Sequence, residues 1–132
     1  IPIDTSGPTR MKHLLIAAHG SRRESSNEEL KQLGIKVSAM LGLANNQVDV
    51  AFLEFASPSI ENTLVELFNE KVAEVIVLPY FLSTGNHVVR DIPEEISKVL
   101  AQWPDKKITL LPHIGALNSM VGTIAGAFES SK

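Results

Sequence analysis

Hydrophobic residues along the chain fall into two alternating textures: short unbroken runs, and longer stretches with a period near that of a helix. His13 to Ala18 is a nearly continuous apolar run, and Val48 to Phe55, Val75 to Phe81 and Ile108 to Leu111 repeat it. Unbroken rather than alternating hydrophobicity is what a strand buried on both faces requires. Between the runs the spacing becomes that of an amphipathic helix. Leu30, Leu33, Val37, Met40 and Leu41 make one stripe, and Ile60, Leu64, Leu67 and Phe68 a second. Ile92, Ile96, Val99, Leu100 and Trp103 make the third, and Leu117, Val121, Ile124, Ala125 and Phe128 the fourth. Four strand–helix alternations predict an α/β fold: a single-domain, doubly wound, open parallel sheet of about four strands with helices on both faces.

Polar residues mark the expected element ends. Ser25 with Glu28, and Asp91 with Glu94, have the spacing of a capping box. The second box leaves Pro93 in a first turn, where its missing N–H costs little. Ser57-Pro58 reads as an N-cap followed by a first-turn proline. Linkers are short and nothing divides the body, so residues 11–132 are expected to form one domain. Residues 1–10, with two prolines, a glycine and little periodicity, read as a flexible N-terminal extension, and Met11 as a natural start.

Composition narrows the possible functions. A chain of 132 residues suits one core. So small a body has little room to enclose a large ligand alone, which favours an oligomer. The formal net charge of −3 argues against a sequence-independent nucleic-acid binder. With no cysteine, disulfides, thiolate chemistry and zinc ribbons are excluded, and a reducing, cytoplasmic setting fits. No apolar run approaches the roughly 20 residues needed to cross a bilayer.

Ligands of open parallel sheets bind beyond the carboxyl ends of the strands, so the residues just after each run matter most. The first run leads into His19-Gly20-Ser21, the second contains Glu54 near its end, and the third leads into Ser83-Thr84-Gly85-Asn86-His87. The fourth ends at Pro112-His113, so three of the four histidines lie at one predicted edge. Two imidazoles and a carboxylate suit a borderline divalent ion such as cobalt, nickel, iron or zinc, with positions left open for a substrate. Gly20 and Gly85 allow tight turns and close backbone approach. A histidine at a strand end is also commonly structural; that is the reading for His13, while His113 fits a role in starting the last helix. Glu54 also fits a solvated strand-end charge.

At these residues the sequence resembles the small CbiX-type class II chelatases, which act on sirohydrochlorin. The resemblance runs from Met11 onwards. It is carried by Leu14 to Arg22 (LLIAAHGSR), Phe52 to Ile60 (FLEFASPSI) and Val77 to His87 (VLPYFLSTGNH), followed by Asp91-Ile92-Pro93. It implies that His19 and His87 hold the metal, that His19 also accepts a proton, and that Glu54 is an acidic member of the same site. The segment Phe81, Leu82, Ser83, Thr84, Gly85, Asn86 matches the one that cradles the macrocycle. Ser57 stands where many relatives carry an acidic substrate-contacting residue. Longer members hold two such lobes in one chain, so a short form of this kind is expected to work as a homodimer with an isologous contact.

Metalation exchanges two pyrrolic N–H protons for one divalent cation, cobalt being the favoured ion and nickel or iron alternatives. Histidine is largely neutral near neutral pH and suits both ligation and proton uptake. Arg22 and Arg90 sit beside the two histidines and could pair with the carboxylates that rim sirohydrochlorin. Helix starts after Ser57 and Gly85 could receive others. No nucleotide-binding glycine pattern implies a cofactor beyond the metal substrate. A histidine phosphatase would place arginine before the His-Gly pair, where this chain has Ala18. A non-catalytic metal or tetrapyrrole carrier would use the same histidines without turnover. A purely structural flavodoxin-like module would lose nothing on their removal.

Overall fold

The four apolar runs become four strands of one parallel sheet in the structure, a computed structural model that describes residues 12–42 and 47–131. The expected extension at residues 1–10, and Met11, lie outside the described residues. In chain order the elements are β1 (Lys12–Ala18), α1 (Glu24–Leu41), β2 (Val48–Phe52), α2 (Ile60–Asn69) and β3 (Glu74–Pro79). A π-helical turn (His87–Asp91) then runs directly into α3 (Ile92–Gln102). β4 (Lys107–Leu110), a 3₁₀ turn (Ile114–Ala116) and α4 (Asn118–Glu129) complete the fold.

The strand order is β2-β1-β3-β4, with every pair parallel. The chain leaves β1 toward one edge for β2, then returns past β1 to lay down β3 on its other side. The gap between the carboxyl ends of β1 and β3 is thus the topological switch point, where open sheets of this order bind ligands.

Both faces of the sheet are packed at β1 and β2, whereas β3 alternates buried with half-buried residues and β4 has no buried residue. One face presents Leu15, Ala17, Ala51, Val75 and Val77 to Ile60, Leu64, Leu67 and Phe68 of α2 and Ile92, Ile96 and Val99 of α3. Full burial of a side chain such as Phe68 contributes roughly 1.5–3 kcal/mol. The other face presents Ile16, Ala18, Val48, Val50 and Phe52, with Leu30 of α1 packed on them.

Two stripes behave differently from their pattern. Met40 and Leu41 are exposed, and the buried residues of α1 are Asn27, Gly34 and Ser38. Small residues bring this helix close to the sheet: a Cβ on Gly34 would lie 3.0 Å from Val50 Cγ2. On α4, Val121, Ile124 and Phe128 are 72%, 64% and 80% exposed, so that apolar stripe faces away from the core.

The caps also differ from expectation. Arg23, not Ser25, precedes α1, with no side-chain cap. The Ser57–Pro58 bond is cis, and Ser59 caps α2 by accepting the Asn62 N–H at 3.1 Å. Asp91 makes no side-chain cap, although Pro93 does fall in the first turn of α3.

Candidate functional site

Strand ends deliver the key side chains to the switch point. β1 stops at Ala18 and β2 at Phe52, but the backbone pairing continues, with Leu53 N–H donating to Ala18 O at 2.9 Å and Glu54 N–H to His19 O at 2.8 Å. Glu54 therefore lies in the loop after β2 rather than within the strand. The extended pairing sets it beside His19, whose Nε2 is 3.0 Å from Glu54 Oε2. Gly20 makes this approach possible: its φ is +98°, and a Cβ there would overlap the Glu54 carbonyl oxygen. Just beyond, the buried Asn27 holds the loop by donating to Ser21 O at 2.8 Å and accepting from Ser21 N–H at 3.0 Å.

From the other side of the gap, the β3 loop supplies His87. Its ring lies 4.3 Å, centroid to centroid, from that of His19 and is tilted by 32°. Phe81 stacks on His87 at 6.1 Å, and Phe55 meets His19 edge-on at 5.6 Å. Successive ring contacts thus link Phe55, His19, His87 and Phe81. His87 Nδ1 is 2.8 Å from Asp91 Oδ2, one turn along the π-helical segment. Irregular turns of this kind are frequent at functional sites.

Each imidazole thus faces one carboxylate, and each remains open to solvent, with side chains 36% exposed for His19 and 40% for His87. Among the described residues, no three His, Cys, Asp or Glu side chains form a ready-made metal cage. That arrangement suits an ion held briefly with positions vacant, rather than a closed structural site. Among the described residues, a third histidine does not join the pair: no ring contact links His113 to His19 or His87. His113 is half-buried before the 3₁₀ turn and makes no side-chain cap. His13 is buried at the opposite end of β1.

The remaining candidates surround this pair. Arg22 places its guanidinium 4.7 Å from the centre of the Phe55 ring, and Arg90 Nε is 3.7 Å from Asp91 Oδ1. Ser57 is exposed in the loop beyond Glu54. Along the β3 loop Phe81 is half-buried, while Leu82, Ser83, Thr84, Gly85 and Asn86 are exposed. The base of that loop is fixed by Gly115, whose N–H donates to Phe81 O at 3.0 Å and whose missing Cβ would overlap the Leu82 carbonyl. A cleft of about 380 Å³, lined by Ser26, Glu29, Leu30, Leu33, Lys36 and Tyr80, shares no residue with this site.

Two further residues have a place here that the sequence does not assign to the site. Phe55 is half-exposed with φ +65°, uncommon for an aromatic residue. In the sequence it stands only within the Phe52–Ile60 motif, next to Glu54. Asp91 reads as a cap in the sequence, although its spacing of four from His87 equally places the two side chains on one face of a helix.

Comparison with known proteins gives a consistent neighbourhood. The CbiX family model matches residues 13–130. A sirohydrochlorin cobaltochelatase of Methanococcus maripaludis is 34% identical over 84 residues, which is 64% of this chain and 57% of that protein. One of Saccharolobus islandicus is 35% identical over 83 residues, 63% of this chain and 62% of that protein. The match therefore spans less than two thirds of the length of these relatives. Among solved structures, a CbiX protein of Marinobacter aquaeolei VT8 aligns with a TM-score of 0.75 at 23% identity, over 90% of this chain and 95% of its own. SirB of Bacillus subtilis, solved with Fe³⁺, aligns at 0.77 and 25% identity over 90% of this chain and 46% of its own.

Proposed function

The chain belongs to the CbiX family, and from that premise we propose that it inserts a divalent metal ion into sirohydrochlorin. The observation that carries this reading is the facing pair His19 and His87 at the switch point, with rings 4.3 Å apart and a carboxylate on each. Cobalt is the favoured ion, in keeping with the cobaltochelatases the chain resembles; nickel and iron are alternatives.

The geometry supports the following course for the reaction. His19 and His87 hold the partly dehydrated ion on one face of the ring. As the ion passes to the ring nitrogens, two N–H protons must leave. His19 and Glu54 form a hydrogen-bonded pair able to take up one proton on that face, and the other passes to the solvent that reaches the half-exposed histidines. The exposed loop from Phe81 to Asn86, together with Phe55, offers surface for the flat macrocycle. Arg22, Arg90 and Ser57, near the histidine pair in this reading, meet its carboxylates.

A second copy of the chain completes the cleft in this reading. The exposed apolar stripe of α4 supports it, because Val121, Ile124 and Phe128 have no cover within one chain's core. No helix among the described residues is long and apolar enough to cross a membrane. The proposal places the enzyme in the cytoplasm.

The deciding experiment is anaerobic absorbance of sirohydrochlorin mixed with Co²⁺, Ni²⁺ or Fe²⁺, with wild type, His19→Ala and His87→Ala. Metalation faster than the protein-free control, lost in both variants, is the expected result and ranks the metals. A folded protein that binds ring and ion without accelerating their union is a carrier instead.

A further inference from the structure

The neutral imidazole ring has one nitrogen that carries a proton and one that offers a lone pair, and the partner of the first decides which is which. Left to itself in water, a histidine side chain favours the proton on Nε2. His87 is 40% exposed, so solvent alone would leave the atom farthest from its backbone largely protonated and unable to ligate.

We propose that Asp91 is the positioning residue of this site: by accepting the Nδ1–H of His87 at 2.8 Å, it commits the Nε2 lone pair to the incoming ion. The inference rests on His87 as a metal-holding residue and deepens that reading. Three observations support it. Asp91 is not used as a helix cap, so its carboxylate is available to the ring. Its neighbour Ile92 is fully buried, which ties the end of the turn shared by His87 and Asp91 to the core. The second oxygen, Oδ1, lies 3.7 Å from Arg90 Nε, and this further limits rotation of the carboxylate. Phe81 and His19 both contact the His87 ring, at 6.1 and 4.3 Å between centroids, so ring contacts and the hydrogen bond act on its orientation together.

The two histidines are therefore supported differently. Glu54 faces His19 from across the switch point, on a loop of another strand. Asp91 belongs to the same turn as His87 and moves with it. A carboxylate behind a metal-binding histidine raises its basicity as well as fixing its orientation.

The test uses the whole chain as wild type, Asp91→Ala and Asp91→Asn. Long-range ¹H–¹⁵N spectra of the metal-free protein, recorded with His87 neutral, report which ring nitrogen bears the proton. Wild type should show a bare Nε2, and Asp91→Ala should shift the population toward a protonated Nε2. Titration with Co²⁺ alone should show affinity for Asp91→Ala about 10–100-fold weaker. Asp91→Asn, whose Oδ1 can still accept the same N–H, should keep the tautomer and most of the affinity. The dispersion of the same spectra reports whether each variant is folded. A protonated Nε2 in wild type overturns the proposal, as does wild-type Co²⁺ affinity in Asp91→Ala. Equal loss in Asp91→Asn with the tautomer retained overturns it too, because charge rather than positioning would then be responsible. The tautomer readout needs no turnover, so a wild type that fails to metalate sirohydrochlorin overturns the chelatase reading alone.

Discussion

Replacing Gly20 with alanine is a direct test of how the two sides of the site are joined. Gly20 has φ +98°, and a Cβ there would overlap the backbone carbonyl of Glu54, with Phe52 Cβ a further 3.3 Å contact. An L-residue at positive φ costs about 1–2 kcal/mol. Forcing a methyl group against a fixed backbone atom adds about 1–3 kcal/mol, because a carbonyl in a paired loop cannot swing aside like a side chain. The expected destabilisation is thus about 2–5 kcal/mol, a large share of the roughly 5–15 kcal/mol that holds a domain folded. Gly42 is the internal control: its φ is +71°, and a Cβ there meets nothing within 4 Å. Gly42→Ala should therefore carry only the conformational cost, about 1–2 kcal/mol. Urea unfolding measures both, and the Gly20→Ala midpoint should fall about 1–3 M below wild type. The surviving folded fraction should also bind Co²⁺ more weakly, since Glu54 must shift away from His19. Unfolding energies for the two variants that agree within about 0.5 kcal/mol would refute the reasoning, because the clash would then be absorbed at no cost.

Other parts of the molecule carry three more expectations. Burial raises the Asp49 carboxyl above its ordinary range; His13 opposes this, and Glu70 and Glu66 add to it. A raised carboxylate favours the fold at acid pH and loses that contribution as pH climbs through the interval up to its folded value, and Asp49 Oδ2 has no hydrogen-bond partner in the structure. Asp49→Asn should therefore be more stable than wild type near neutrality, by about 1 kcal/mol, with the gain shrinking in acid; thermal melts across pH check this. In the proposed homodimer, Ile124→Glu with Phe128→Glu should separate the two copies on gel filtration and lower metalation with them; a variant eluting as wild type removes α4 from the proposed contact. Phe68→Ala, emptying a buried position of α2 that packs against Trp103, should cost about 3–5 kcal/mol in urea unfolding.

The sheet is legible in the sequence because its strands leave unbroken apolar runs, and four such runs mark four strands. The site is half legible. His19, Glu54 and His87 stand at or just beyond the ends of runs, and the switch point gathers the loops at the carboxyl ends of β1 and β3. Asp91 is easily mistaken because one spacing serves two purposes: three residues before Glu94 it resembles a cap, and four after His87 it can reach the ring. No periodicity near 3.6 announces a π-helical turn. The α1 stripe misleads for a related reason, since counting large apolar residues overlooks a helix seated by Asn27, Gly34 and Ser38. On α4 the periodicity correctly gives a helix but cannot say whether its stripe faces this chain's core or another surface.

The paired carboxylates have a consequence for the charge of the cleft through a cycle. Glu54 and Asp91 bring two carboxylates to the histidine pair, and Arg90 sets a guanidinium 3.7 Å from Asp91. When a divalent ion leaves this cleft for the ring, the ring surrenders two protons. Their combined charge equals that of the ion, so the exchange leaves the total charge of cleft and macrocycle unchanged.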